Sequence, residues 1–129
     1  MKRNEPLQAL TKAEEEVMQI IWTLDRCLVK DIIEQLGDPD IPHSTVSSVV
    51  RILEKKGFVD HKAYGNSHVY FPVISEDNYK KFAFDKIMNN YFSNSYQSLV
   101  SFLVNEKNMS VNELEELTKL AQNLKNKKP

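Results

Sequence analysis

The sequence predicts a mainly α-helical chain interrupted by a single β-hairpin, and three observations carry that prediction. Thr11-Lys12-Ala13-Glu14 and Ser110-Val111-Asn112-Glu113 each set a hydroxyl three residues before a glutamate at the head of an apolar run, the pattern of a capped helix start. Most of the chain repeats its apolar residues at the helical spacing of three and four. One stretch breaks that rhythm. Residues 58–63 and 67–73 are rich in β-branched and aromatic side chains and meet around Tyr64-Gly65-Asn66, where Gly-Asn is a tight-hairpin signal.

The first helix is expected over residues 11–24, with Leu10, Ala13, Val17, Ile20, Ile21 and Leu24 at the helical period. Asp25-Arg26 turns the chain, and a short pairing segment is expected near Cys27-Leu28. The second helix follows over 29–36, with Val29, Ile32, Ile33 and Leu36 on one face. Gly37 fits the left-handed residue that ends a helix, and Pro39 and Pro42 prevent continuation. The third helix should run from 43 or 44 to 56, burying Val46, Val49, Val50 and Leu53 and stopping at Gly57.

The opposite side of that third helix carries Ser44, Ser47, Ser48 and Arg51. Exposed helix positions usually hold longer residues of better helix propensity, and each serine costs about a few tenths of a kcal/mol. Something other than helix stability therefore shaped this face. Pro72 cannot donate to a ladder, which restricts the second strand to an edge. A fourth helix is expected over 76–91 after Ser75, a fifth over 95–106, and a sixth from Ser110 with Leu114, Leu117, Ala121 and Leu124 on one seam. The tail from Lys125 is basic and expected to fray.

The chain has 129 residues, 41% hydrophobic and 27% charged, enough for one modest core with an appendage. No run nears the length of a membrane span, and no apolar segment follows the basic start as a secretory signal would require. The single cysteine, Cys27, excludes an internal disulfide and a thiolate-rich metal site, and fits a cytoplasmic protein. Net charge is −1, unevenly spread: residues 1–41 carry −4, residues 42–73 carry +2 together with all three histidines, and residues 74–129 carry +1. An anionic partner would dock on the middle segment. Paired carboxylates, a Cys/His dyad and a Gly-rich phosphate loop are missing, so neither an enzyme nor a cofactor is expected.

Helix, short strand, helix, tight connection, helix and hairpin is the order of a winged helix-turn-helix. That order divides the chain into a DNA-binding domain over 1–74 and a three-helix dimerisation region over 75–129. A helix about 10–12 Å wide fits the major groove, and small polar side chains let it approach base edges. The residues expected on DNA are His43, Ser44, Thr45, Ser47, Ser48 and Arg51 from the third helix, with Lys62, Asn66 and His68 from the wing. So little positive charge neutralises few phosphates, which argues for two copies acting together on a pseudo-palindromic operator. Leu99, Phe102 and Leu103, with Leu114, Leu117, Ala121 and Leu124, are the expected homodimer interface.

Plainer readings stand beside these. The stripe on the sixth helix suits packing within the chain, Trp22 and Cys27 suit the core, and Lys55-Lys56 suits a helix C-terminus. His61 and His68 can meet across the hairpin, but no third and fourth ligand is evident, so no metal is expected. Two other functions fit the same order: a regulator sensing a small molecule through Tyr79, Phe82 and Phe84, and a winged-helix protein–protein adaptor that does not bind DNA.

Residues 11–22 (TKAEEEVMQIIW) and 45–59 (TVSSVVRILEKKGFV) resemble the penicillinase and methicillin-resistance repressor family, and the likeness continues through Tyr70-Phe71-Pro72 into Ser98-Leu99-Val100. The resemblance implies a cytoplasmic dimeric repressor of a β-lactam-resistance or related operon. It also implies a partner, a membrane metalloprotease sensor that triggers repressor cleavage. The family's best-known members carry an Asn-Phe cleavage bond in the fifth helix; Phe102-Leu103 stands there here, and is the candidate bond. Those members also have more basic third helices, where this chain has Ser44, Ser47 and Ile52, so a different operator sequence is implied. The cysteine-rich terminal motif of related copper-responsive repressors is absent.

Overall fold

A computed structural model describes residues 7–127. The first six residues, part of the signal-sequence reading, and the last two of the basic tail lie outside them. The elements are α1 (Lys12–Leu24), α2 (Val29–Leu36), α3 (His43–Lys55), β1 (Val59–Tyr64), β2 (Ser67–Pro72), α4 (Glu76–Phe92), α5 (Tyr96–Lys107) and α6 (Val111–Lys127). They form two compact units that part between Ala83 and Phe84.

The first unit is built on the apolar stripes. Val17, Met18 and Ile21 of α1, Ile32 of α2 and Val46, Val50 and Leu53 of α3 are buried together with Phe58, Val59 and Tyr70. Gly37 closes α2 at φ +71°, a conformation that disfavours any side chain. β1 and β2 pair antiparallel, Val59 opposite Pro72 and Tyr64 opposite Ser67. Gly65 takes φ +62° at the first of the two turn positions, as a type II′ hairpin requires.

β2 is an edge of the two-stranded sheet, as Pro72 requires, and the pairing segment expected near Cys27 bridges its outer side. Both main-chain bonds of Tyr70 go to Cys27: its N–H donates to the Cys27 carbonyl (2.7 Å), and its carbonyl accepts from Cys27 N–H (3.0 Å). Pro72 is tolerated because that bridge covers Tyr70 alone, and the proline ends the strand beyond it.

The start of α4 belongs to the first unit, so the units part later than the 74/75 boundary read from the sequence. Tyr79 is buried, its ring 5.6 Å from Phe58 and 6.0 Å from Trp22. Its hydroxyl accepts the Leu10 N–H at 2.8 Å. Trp22 donates its indole N–H to the Ile74 carbonyl (2.9 Å) and packs against the same core.

Glu14 is the one buried charged residue named among the described residues. Its carboxylate accepts Thr11 N–H (3.0 Å) while Thr11 Oγ accepts Glu14 N–H (3.2 Å), so the predicted capping box is formed. The same oxygen meets Lys56 Nζ at 2.8 Å, tying α1 to the end of α3. Burial works to raise this carboxyl, but Lys56 and the Thr11 bonds outweigh it and hold the group below its ordinary range. A carboxyl depressed in the fold stabilises it above the unfolded pKa, and that contribution vanishes as pH falls through the folded value. Glu14→Gln should cost about 1–3 kcal/mol near neutrality and soften the acid limb of the stability curve. Urea midpoints from roughly pH 7 to pH 3 test this; parallel curves for the two proteins would remove Glu14 from the acid response.

In the second unit, Ser95 caps α5 and the Ser110–Glu113 box caps α6, with reciprocal bonds of 2.8 and 3.1 Å. Phe84 stacks on Tyr96 at 6.4 Å, and Phe92 meets Phe102 edge-on at 5.5 Å. Met88 is the one apolar residue of this unit named as buried. Among the described residues, no helix is long and apolar enough to cross a membrane.

Candidate nucleic-acid interface

α3 turns Val46, Val50 and Leu53 inward, so the helical period turns its serines and arginine outward. His43, Ser44, Thr45, Ser48 and Arg51 are exposed and Ser47 is half-buried. Neighbours on this face are linked at the spacings a helix brings together: Ser47 Oγ lies 3.3 Å from His43 Nδ1, and Arg51 Nη2 donates to Ser48 Oγ at 3.3 Å. The face is polar and lightly tethered, with short side chains on either side of one long cationic one.

The hairpin completes a cleft of about 420 Å³ beside this face. His43, Ser47 and Arg51 of α3 line one wall, Asn66, Ser67 and His68 of the hairpin the other, and Leu28, Val29 and Lys30 close one end. Tyr70 also lines the cleft, its hydroxyl pushed up by burial and then by the Glu54 carboxylate, with Arg51 pulling the other way. The cleft can donate hydrogen bonds from lysine, guanidinium, amide and hydroxyl groups, the donor set that suits phosphate and base edges.

Five of the nine sequence-predicted residues are thus brought together: His43, Ser47, Arg51, Asn66 and His68. Ser44 and Ser48 are exposed on α3 without lining the cleft. Thr45 lines a second, apolar cavity of about 220 Å³ with Ala13, Leu36 and Ile41. Lys62 alternates with His61 along β1 and so projects from the other side of the wing. The sequence reading missed Lys30 and Ser67. Lys30, the second residue of α2, was legible as a cation in the turn-helix just before α3.

The two wing histidines meet across the hairpin as expected, while Lys56 does more than its sequence reading gave it. His61 stacks on His68, ring centroids 4.3 Å apart, and its Nδ1 lies 2.8 Å from Glu54 Oε2. Potential ligand atoms of Glu54, Asp60 and His61 all fall within 4.8 Å of one another. Lys56 is engaged by Glu14 rather than serving only a helix end. Burial and then Asp31 push the Cys27 thiol up to about 11, which makes it an inert core residue. Tyr79 and Phe82 pack in or against the core of the first unit, and Phe84 belongs to the second.

Among the residues expected at a dimer interface, Phe102, Leu117, Ala121 and Leu124 are exposed, and Leu99, Leu103 and Leu114 are half-buried. The Phe102-Leu103 bond lies inside α5.

Comparison with known proteins gives consistent results. The penicillinase repressor family profile matches residues 10–123. The chain is similar to the methicillin resistance regulatory protein MecI of Staphylococcus aureus (strain N315), 31% identical over 120 residues, 92% of this chain and 94% of that protein. It is 29% identical over 121 residues to the penicillinase repressor of Bacillus licheniformis, with the same coverage of each. Its fold resembles the solution structure of the DNA binding domain of the repressor BlaI, with a TM-score of 0.50 and 29% identity, covering 58% of this chain and 93% of that one.

Proposed function

The chain belongs to the penicillinase repressor family, and from that premise we propose that it is a cytoplasmic, homodimeric DNA-binding repressor of a β-lactam-resistance or related operon. The observation that carries this reading is the shared cleft, in which the short-chained polar face of α3 and the wing tip border one open space. A major groove would receive α3, and the wing would follow the flanking backbone. Arg51 is the cation of α3 that lines the cleft and the residue placed to reach a guanine or a phosphate. Lys30 supplies a second charge.

Arg51→Ala should lower operator affinity by about 1–3 kcal/mol if it reads a base, with the oligomeric state unchanged. Fluorescence anisotropy on a labelled operator measures it, and unaltered binding would remove Arg51 as a reader. The same titration repeated over a range of salt separates a repressor from a protein–protein adaptor. Counterion release must weaken DNA binding steeply as salt rises, and an adaptor would give no such binding to weaken.

The homodimer supports this reading through the exposed apolar side chains of α6. Leu117, Leu120 and Leu124 are about half exposed and follow a three-four spacing, a stripe that suits a second copy. A pseudo-palindromic operator would match that two-fold symmetry. Cleavage of Phe102-Leu103 by a membrane metalloprotease sensor would remove α6 and the end of α5 and so uncouple the two half-sites. The bond sits in a helix, which must unwind locally before a protease can take it as an extended strand. A chain truncated after Phe102 tests the consequence: full operator affinity in that fragment would end the cleavage mechanism.

A further inference from the structure

We propose that Glu54, Asp60 and His61 form a site for a divalent transition-metal ion of the zinc type, at the junction of α3 and the wing. Glu54 comes from the last turn of α3, and Asp60 and His61 from the first residues of β1. Their ligand atoms, two carboxylate oxygens and an imidazole nitrogen, lie within 4.8 Å of one another. Ligands on one tetrahedral zinc stand about 3.3 Å apart, given metal–ligand bonds of about 2.0–2.1 Å. The Glu54–His61 contact, at 2.8 Å, needs to open slightly and Asp60 to close in.

An ion pair between Glu54 and His61 accounts for that one short contact. It does not account for the Asp60 carboxylate, a second negative group beside the first. Two carboxylates at close range repel unless a cation joins them. Two carboxylates and one imidazole nitrogen are a donor set that complements a divalent ion. Asp60 is further held by accepting the His61 N–H at 2.7 Å, which keeps its carboxylate beside the ring. The nitrogen ligand selects a zinc-like ion over magnesium or calcium, which prefer oxygen throughout. Water would complete the coordination sphere at this partly exposed site. Such an ion would fasten the recognition helix to the root of the wing, fixing the spacing between the two walls of the cleft.

The test uses the full-length chain freed of metal and titrated calorimetrically with zinc chloride, with Co²⁺ absorption as the spectroscopic counterpart. One ion per chain is expected, with no saturable response to Mg²⁺. Asp60 is exposed, so Asp60→Asn leaves the fold intact, and it should weaken zinc by about ten-fold or more. Glu54→Gln and His61→Asn should do at least as much, and His43→Ala should change nothing. Absence of saturable zinc binding by the unaltered chain would overturn the proposal. So would zinc binding that persists at full strength in Asp60→Asn and His61→Asn.

Discussion

Leu117→Asp should convert the protein to a monomer and weaken operator binding by about 10²–10⁴-fold. Leu117 is 48% exposed on α6, so a charge there leaves the folded subunit largely undisturbed and falls on the stripe shared with Leu114, Ala121 and Leu124. Among the described residues of the second unit only Met88 is a buried apolar residue, while Tyr91, Val111, Leu120 and Leu124 are exposed. Helices that leave so much apolar surface in water gain most by pairing with another copy. The large effect on DNA follows from linkage: within a dimer, the second half-site is found at an effective concentration set by the tether rather than by bulk protein. Sedimentation equilibrium and anisotropy on one sample read both effects. A Leu117→Asp protein that remains dimeric moves the interface off this stripe. A monomer that binds the operator at full strength removes the need for two copies.

Phe58→Ala should destabilise the first unit by about 3–5 kcal/mol, a large share of the roughly 5–15 kcal/mol that holds a domain together. Phe58 is fully buried between the end of α3 and the hairpin, edge-on to Tyr79. Its backbone is a junction as well: its N–H donates to the Leu53 carbonyl, and its own carbonyl accepts from Val73 and Ile74. Truncation leaves a cavity lined by groups that those bonds hold in place, so collapse is limited and the cost stays near the upper end. Trp22, the only tryptophan, shares Tyr79 with Phe58 and reports the unfolding by its fluorescence in urea. A midpoint within a few tenths molar of the parent would show that the site repacks and that Phe58 is not the keystone of this core.

The helices were legible because their signals are local. Capping boxes at Thr11 and Ser110, Gly37 after α2, and the stripe Val46, Val50 and Leu53 each act within a few residues of chain. The hairpin and the place of its turn followed from Gly65-Asn66 for the same reason. What escaped was whatever depends on contacts between distant segments. Tyr79 reads as one aromatic among several on α4, and its place against Phe58, Trp22 and Leu10 has no local signature. A pairing segment near Cys27 was legible, but not its partner Tyr70, 43 residues away in the chain. In the cleft, the face of α3 was readable from its period, while Lys30 arrives from another helix and Lys62 leaves by strand alternation. Asp60 and Glu54 looked like ordinary surface charges until the hairpin folded back onto α3.

The burial of Tyr79 has a practical consequence for anyone dividing this protein or grafting its reading head onto another. A cut at the end of the hairpin would strip the aromatic lid from Trp22 and Phe58 and leave their rings facing solvent. The shortest portable fragment therefore extends to residue 83, carrying the first two turns of α4, and a chimera joined any earlier would inherit a weakened core.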